Sequence, residues 1–430
     1  MKRTLNTTLA EHLGEPVQLE GWIHRRRRLA AVTFLILRDR SGLSQVVVSD
    51  EATRAALDAL PEETVVRITG TATANAKAPG GVEITGPTLT ALSAPAATTP
   101  VELWRPHLDV GLPTLLDHAP LTWRHRERRA LWELAAASLR GFRTTLDAAG
   151  FTEVATPKFT ATATESGANV FAVDYFGRPA YLAQSPQLFK QVLVGVFERV
   201  YETGPVFRAE PHDTVRHLAQ YTSLDAELGF IADHRDVLAV LREVLAGMVA
   251  ELNALAEHGD AVDLAGAQVP VVPEQIPVVH FQDALRLVGA ESDEPDLAPE
   301  HERQLSRWAL HEHGSDFLAV EGYPAAKRPF YTHPQPGDAR WTNSFDVLFR
   351  GLELVTGGQR LHEHADYVAA LSARGQDPGD YGAYLQAFAH GMPPHGGFAL
   401  GLERWVARLA GLDNVRRSTL FPRDVHRLSP

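Results

Sequence analysis

Two runs of strand-forming residues, Glu198 to Val206 and Gln220 to Phe230, bracket a charged segment that reads FRAEPHDTVRHLAQYTSLDAE from Phe207 to Glu227. Such a pair joined by a polar stretch folds as a long hairpin with its charges gathered at the mouth. Arg208 brings a planar fork of donors that can meet two phosphate oxygens at once. Glu210 sets an acceptor nearby, His217 adds a donor, and Tyr221 offers a flat face on which a base can stack. Together they suit a nucleotide. The competing view is an exposed hairpin whose charges only solvate it.

The chain has 430 residues, room for two or more domains, and 44% of them are apolar, so each domain can bury a core. It has no Cys, which excludes a disulfide framework, a thiolate metal site and a catalytic thiol, and fits a reducing compartment. The opening residues, MKRTLNTTLAEHLGEPVQ, lack an apolar core of about 7 to 15 residues, the mark of a signal peptide. No apolar run reaches the roughly 18 residues of a membrane span, so a cytoplasmic protein without membrane attachment is expected. The net charge of −12 argues against a generally basic nucleic-acid binder. Basic residues nevertheless cluster at His24 to Arg28, HRRRR, and at Arg124, His125, Arg126, Arg128 and Arg129.

In residues 1–92, short runs rich in β-branched residues lie at Val17 to Ile23, Val32 to Leu37, Ser44 to Val48, Thr64 to Gly70 and Gly81 to Ile84, with helical character from Asp50 to Leu60. Five short strands and one helix suggest a small closed barrel of the OB type, though an SH3-like barrel reads similarly. SAPAATTP, Ser93 to Pro100, opens a hinge placed at 93–123, and a second domain follows at 124–430. There Leu131, Leu134, Leu139, Phe142 and Leu146 recur at helical spacing, Gly150 suits a C-cap, and Phe151 to Pro157 reads as a strand. Ser344 to His362 alternates apolar and polar residues and then turns through Gly357 and Gly358, which can aim Glu353, Thr356 and Arg360 into one cleft. Val237 to Leu255 is amphipathic, and no chemistry is assigned to the Pro-rich, acidic stretch after it. His311-Glu312-His313 and His362-Glu363-His364 invite zinc, but neither has the i, i+4 spacing of the hydrolase motif.

The segment Phe207 to Glu227 resembles motif 2 of class II aminoacyl-tRNA synthetases: Phe-Arg-x-Glu, a loop, Arg-His, then an aromatic and Asp-x-Glu. Gln220 stands where Glu is usual and Tyr221 where Phe is usual; Tyr keeps the stacking face. The long helix and its strand resemble motif 1, which forms the homodimer interface in that family. GGFALGLER, Gly396 to Arg404, resembles motif 3, with Ala399 in place of the usual Gly. Between these lies YLAQSPQLFKQ, Tyr181 to Gln191, similar to the aspartyl branch of the family, and the closing residues NVRRSTLFPRDVHRLSP are similar to its archaeal-type members.

The resemblance implies an α+β protein: an N-terminal OB-fold barrel for the anticodon and a class II catalytic domain with an antiparallel sheet flanked by helices. Its substrates would be ATP with Mg2+, L-aspartate, and tRNA(Asp) or tRNA(Asn). It places ATP on Arg208, Glu210, Arg216, His217, Leu218, Tyr221, Glu353, Gly401 and Arg404, with Mg2+ on Glu353 and Thr356, a hard oxygen environment. Arg208, Glu210 and Arg404 would serve the catalytic step. Aspartate falls to Glu165, Gln187, Lys190, Arg208, Thr356 and Arg360. In asparaginyl enzymes Lys190 has no counterpart, and the Lys190–Arg360 pair would leave neutral asparagine without a counter-charge.

For the anticodon the resemblance points to Arg27, Phe34, Gln45 and Glu83, although Phe34 also suits barrel core. His24 and Pro79 match archaeal-type enzymes that charge both tRNA(Asp) and tRNA(Asn), where an amidotransferase converts the product. Rivals are a strictly tRNA(Asp)-specific enzyme, an asparaginyl enzyme, a paralogue making free asparagine, which lacks the barrel, and a non-catalytic tRNA-binding protein.

Overall fold

Alternation of apolar and polar residues builds five strands: β1 (Pro16–Arg28), β2 (Thr33–Arg38), β3 (Leu43–Val48), β4 (Val65–Ala74) and β5 (Val82–Ala91). In the computed structural model they close in the order β1-β2-β3-β5-β4, the barrel expected from the sequence. Leu19, Ile23, Leu35, Leu37, Val46, Ile68 and Ile84 fill it. Between β3 and β4, α1 (Glu51–Asp58) begins at Asp50, whose carboxylate accepts from the Thr53 backbone N–H. The structure describes residues 2–161, 169–211 and 213–429. The chain divides into two compact units, Met1–His125 and Arg126–Pro430, and no helix among the described residues is long and apolar enough to cross a membrane.

In the second unit, α2 (Arg126–Ala148) buries Leu131, Leu134, Phe142 and Leu146 along one stripe. The sheet that follows comprises β6 (Thr152–Glu153), β7 (Arg199–Phe207), β8 (Gln220–Gly229), β9 (Val278–His280), β10 (Phe317–Glu321), β11 (Ser344–Phe349), β12 (Leu352–Gln359) and β13 (His395–Gly401). Its spatial order is β9-β10-β11-β12-β13-β8-β7-β6. Along β8, Leu224, Ala226 and Leu228 join the core that also holds side chains of α2, α4 (His234–His258) and α6 (Leu402–Leu409). The alternate residues Tyr221, Ser223, Asp225 and Glu227 therefore face the other way. Two further helices are used below, α3 (Gln187–Phe197) and α5 (Pro299–His313).

Three expectations change. The sheet is antiparallel through its middle but parallel at both edges, where β6 meets β7 and β9 meets β10. The strand expected from Phe151 to Pro157 shrinks to Thr152–Glu153; Pro157 lacks the donor a ladder needs. Gly357 and Gly358 lie inside β12, and the chain turns instead at Arg350 and Gly351, both with positive φ. A Cβ at Gly357 would come within 2.5 Å of the Phe345 ring, and one at Gly358 within 2.7 Å of the Asn343 carbonyl oxygen. These glycines serve close strand packing.

Candidate active site

The cleft lies over the outward residues of β8, β13 and β12. It has a volume of about 400 Å³ and is lined by Gln187, Arg208, Glu210, Arg216, His217, Leu218, Tyr221, Glu353, Thr356, Arg360, Gly401 and Arg404, all expected from the sequence. Glu165 lies outside the described residues.

At the β7–β8 loop, the Arg208 backbone N–H donates to the Ala219 carbonyl at 2.9 Å, which fixes the base of the loop. Its guanidinium lies 3.9 Å from Glu210 and 6.0 Å from the Tyr221 ring centroid. A Cβ at Gly401 would stand 3.9 Å from both the Tyr221 ring and Arg404 Cδ, so ring and arginine flank one glycine-lined slot. Arg404 Nη1 donates to the Glu353 carbonyl at 3.1 Å, and the Glu403 carboxylate accepts from the Thr222 N–H through both oxygens at 3.0 Å. Burial pushes Glu403 up to about 7, against the pull of that N–H.

Three residues apart, Glu353 and Thr356 would point to opposite faces of a regular strand. A bulge corrects this: Val347 pairs with Val355 and Leu348 with Glu353, leaving Leu354 unpaired. Thr356 Oγ1 then donates to Glu353 Oε1 at 3.1 Å. Asp346 pairs with Thr356 across the ladder, and its Oδ1 is buried without a hydrogen-bond partner among the described residues. Burial, partly offset by Arg328 at 2.8 Å and reinforced by Glu353, raises Asp346 to about 6. Hard oxygens and an unsatisfied carboxylate suit Mg2+, which is held by one or two carboxylates plus phosphate oxygens rather than by a protein cage.

Toward α3, Gln187, Lys190, Gln191 and Val194 are buried on one face of the helix. Lys190 is not the solvated helix lysine its residue type would suggest: it is 1% exposed, with Nζ 3.0 Å from Asp225 and 3.2 Å from Glu227. Arg360 Nε donates to Glu227 at 2.9 Å, and its Nη2 donates to the Gly397 carbonyl at 3.0 Å and to Gln187 Oε1 at 3.3 Å. Burial works to raise Glu227, but Arg360 and Lys190 outweigh it and hold it below the usual carboxylate range. The two cations are thus already matched by two carboxylates. This corrects the picture of a bare positive pair. Gln187 Nε2 is buried without a partner among the described residues and stands ready for an acceptor.

Sequence reading quoted Asp225 and Glu227 within the motif but gave them no role, and it did not single out Ser185, Ser223 or Arg328, which also line the cleft or its floor. Period-two alternation from Tyr221 carries the signal for Ser223, Asp225 and Glu227. Glu302, which reaches Arg216 from α5, left no local signal. His311 of the first histidine cluster is exposed and pairs with Glu312.

On the barrel, Arg27 is exposed opposite Phe34, which pairs with Val47, while Gln45 pairs with Ile36 and Glu83. These positions form one outward patch. Phe34 is half-buried and absent from the barrel core, whereas its neighbour Leu35 is fully buried, so the core reading of Phe34 does not hold. Gln45 and Asn75 both donate to Glu83, at 2.8 and 2.7 Å. Pro79 is exposed at the start of a tight turn. His24 sits at a bulge in β1 and is 7% exposed.

Comparison with known proteins gives the same picture at the level of the family. The description "tRNA synthetases class II (D, K and N)" matches residues 112–425, and "OB-fold nucleic acid binding domain" matches residues 17–92. An aspartate–tRNA(Asp/Asn) ligase of Thermus thermophilus is 46% identical over 435 residues, covering all of both chains. A protein of the same name from Deinococcus radiodurans is 44% identical, covering 100% of this chain and 99% of its own. Among solved structures, asparaginyl-tRNA synthetase from Pyrococcus horikoshii complexed with asparaginyl-adenylate superposes with a TM-score of 0.90 at 30% identity, covering 98% of this chain and 97% of its own. The chain belongs to the class II tRNA synthetases of the D, K and N group, with an OB-fold nucleic-acid-binding domain.

Proposed function

We propose that this chain ligates L-aspartate to tRNA(Asp), and also to tRNA(Asn), through an aspartyl adenylate made from ATP. The observation that carries this reading is one cleft lined both by Arg208, Tyr221 and Arg404, groups that suit a nucleotide, and by Arg360, which is paired with Glu227 and through it with Lys190 and suits a small acid. The aspartate α-carboxylate attacks the α-phosphorus, the bond to the bridging oxygen breaks, and pyrophosphate leaves. The terminal ribose hydroxyl of tRNA then takes the acyl group and AMP departs.

No side chain has to form a covalent bond, so positioning and charge neutralisation carry the rate. Arg208 neutralises the α-phosphate and the attacking carboxylate; Glu210 accepts from the adenine amine; Tyr221 and Arg404 hold the ring; Arg216 and His217 reach the outer phosphates. Glu353 and Thr356, with Asp346 behind them, would hold Mg2+, which neutralises phosphate charge when bound.

Selectivity follows from counting charges. With Asp225 on the substrate ammonium, Lys190 and Arg360 face only Glu227, and one positive charge remains for the side-chain carboxylate. Asparagine leaves that charge buried and unmatched, a cost on the order of several kcal/mol.

We further propose a cytoplasmic homodimer formed through α2 and β6, a catalytic domain that starts near residue 124 after a 93–123 hinge, and an amidotransferase that converts Asp-tRNA(Asn). Charging assays with labelled aspartate or asparagine on separate tRNA(Asp) and tRNA(Asn) transcripts test the reading. Aspartate is expected on both. Charging of tRNA(Asp) alone would leave a strict enzyme, and charging with asparagine would overturn the assignment.

A further inference from the structure

The stretch around residue 300 carries no recognisable motif, yet it sends one carboxylate to two residues that line the cleft, Arg216 and Glu353. Pro299 opens α5, and Glu302 follows in its first turn with a side chain only 5% exposed. Glu302 accepts from Arg216 Nη1 through both oxygens, at 3.2 and 3.4 Å, and Oε2 also accepts from the Glu353 backbone N–H at 3.1 Å. One buried carboxylate therefore ties the β7–β8 loop to the start of β12, the strand that bears Glu353 and Thr356.

We propose that Glu302 is a positioning residue for adenylate formation, holding Arg216 of the loop in register with Glu353 so that both meet the same ATP phosphates. Arg216 is a long side chain on a segment without ladder bonds, and left alone it would lose rotamer freedom on each binding event. Only Nη1 is engaged by Glu302. Arg216 itself lines the cleft. A charge-assisted contact that spares the remaining donors preorganises the arginine instead of competing with the phosphate. The inference rests on the proposed reading of the cleft as an ATP site.

The test is aspartate-dependent ATP–pyrophosphate exchange by the full chain and by Glu302→Ala, Glu302→Gln, Arg216→Ala and the Glu302→Ala/Arg216→Ala double variant. Glu302→Ala is expected to raise the KM for ATP about tenfold while leaving the KM for aspartate unchanged. Glu302→Gln, which keeps an acceptor for Arg216 and for the Glu353 N–H, should recover part of the loss. The double variant should be no worse than Arg216→Ala, because the two residues act as one unit. A wild-type KM for ATP in an active Glu302→Ala, or losses that multiply in the double variant, overturns the inference alone. If the alanine variant fails to fold, Glu302→Gln decides: a KM for ATP raised about threefold supports the role, and an unchanged one removes it. Absence of exchange in the wild-type chain overturns the functional reading and the inference together.

Discussion

Lys190, Arg360, Asp225 and Glu227 form a buried set of matched charges, each holding the others in place. Removing one member strands its partner away from water. Lys190→Met is therefore expected to lower stability by about 3 to 5 kcal/mol and to abolish aspartate activation; an unchanged denaturation midpoint would show that the set is not coupled. Glu403 behaves differently, because burial raises it from 4.5 to about 7. Between those values the folded protein keeps a proton that the unfolded chain has released, so this group's stabilisation is full below the lower value and is lost as pH rises through the higher one. Glu403→Gln, neutral throughout, should gain on the wild type as pH rises from about 5 to about 8, by up to roughly 3 kcal/mol. Parallel denaturation curves at the two pH values would contradict this.

At the scale of elements, the hairpin β7–β8 and the barrel strands were legible because each alternates cleanly, and the period of two places Tyr221 and Asp225 on one face. Alternation and a turn were expected to bring Glu353 and Thr356 into one cleft, and they meet there for another reason; the bulge at Leu354 that unites them is a tertiary feature without a local signature. The Gly357-Gly358 doublet misled, since glycine marks tight turns and close strand approach alike. Gly397 shows the second use: a Cβ there would overlap the Ala226 carbonyl and the Glu227 carboxylate. Gly397→Ala should cost about 1 to 3 kcal/mol and raise the KM for aspartate more than that for ATP. Equal effects on both substrates would mean that the strand yields without disturbing Glu227. Glu302 was illegible because its partners Arg216 and Glu353 are distant in sequence and meet it only after folding.

At the scale of the whole molecule, recognition of RNA by one unit and chemistry in the other is the expected division. The outward patch of Arg27, Phe34, Gln45 and Glu83 belongs to the barrel, and the charges of the cleft belong to the second unit. Phe34→Ala removes a stacking face worth about 1 to 3 kcal/mol per base. It should raise the KM for tRNA in charging assays and leave pyrophosphate exchange untouched; a loss of exchange would show that the barrel does more than bind RNA. With a net charge of −12, bulk attraction is not expected to supply RNA affinity. What the cleft selects is read most directly by ATP–pyrophosphate exchange without tRNA, with aspartate and asparagine as alternative substrates. Aspartate is expected to drive exchange and asparagine to fall orders of magnitude behind; equal rates with the two amino acids would contradict selection by the buried charges.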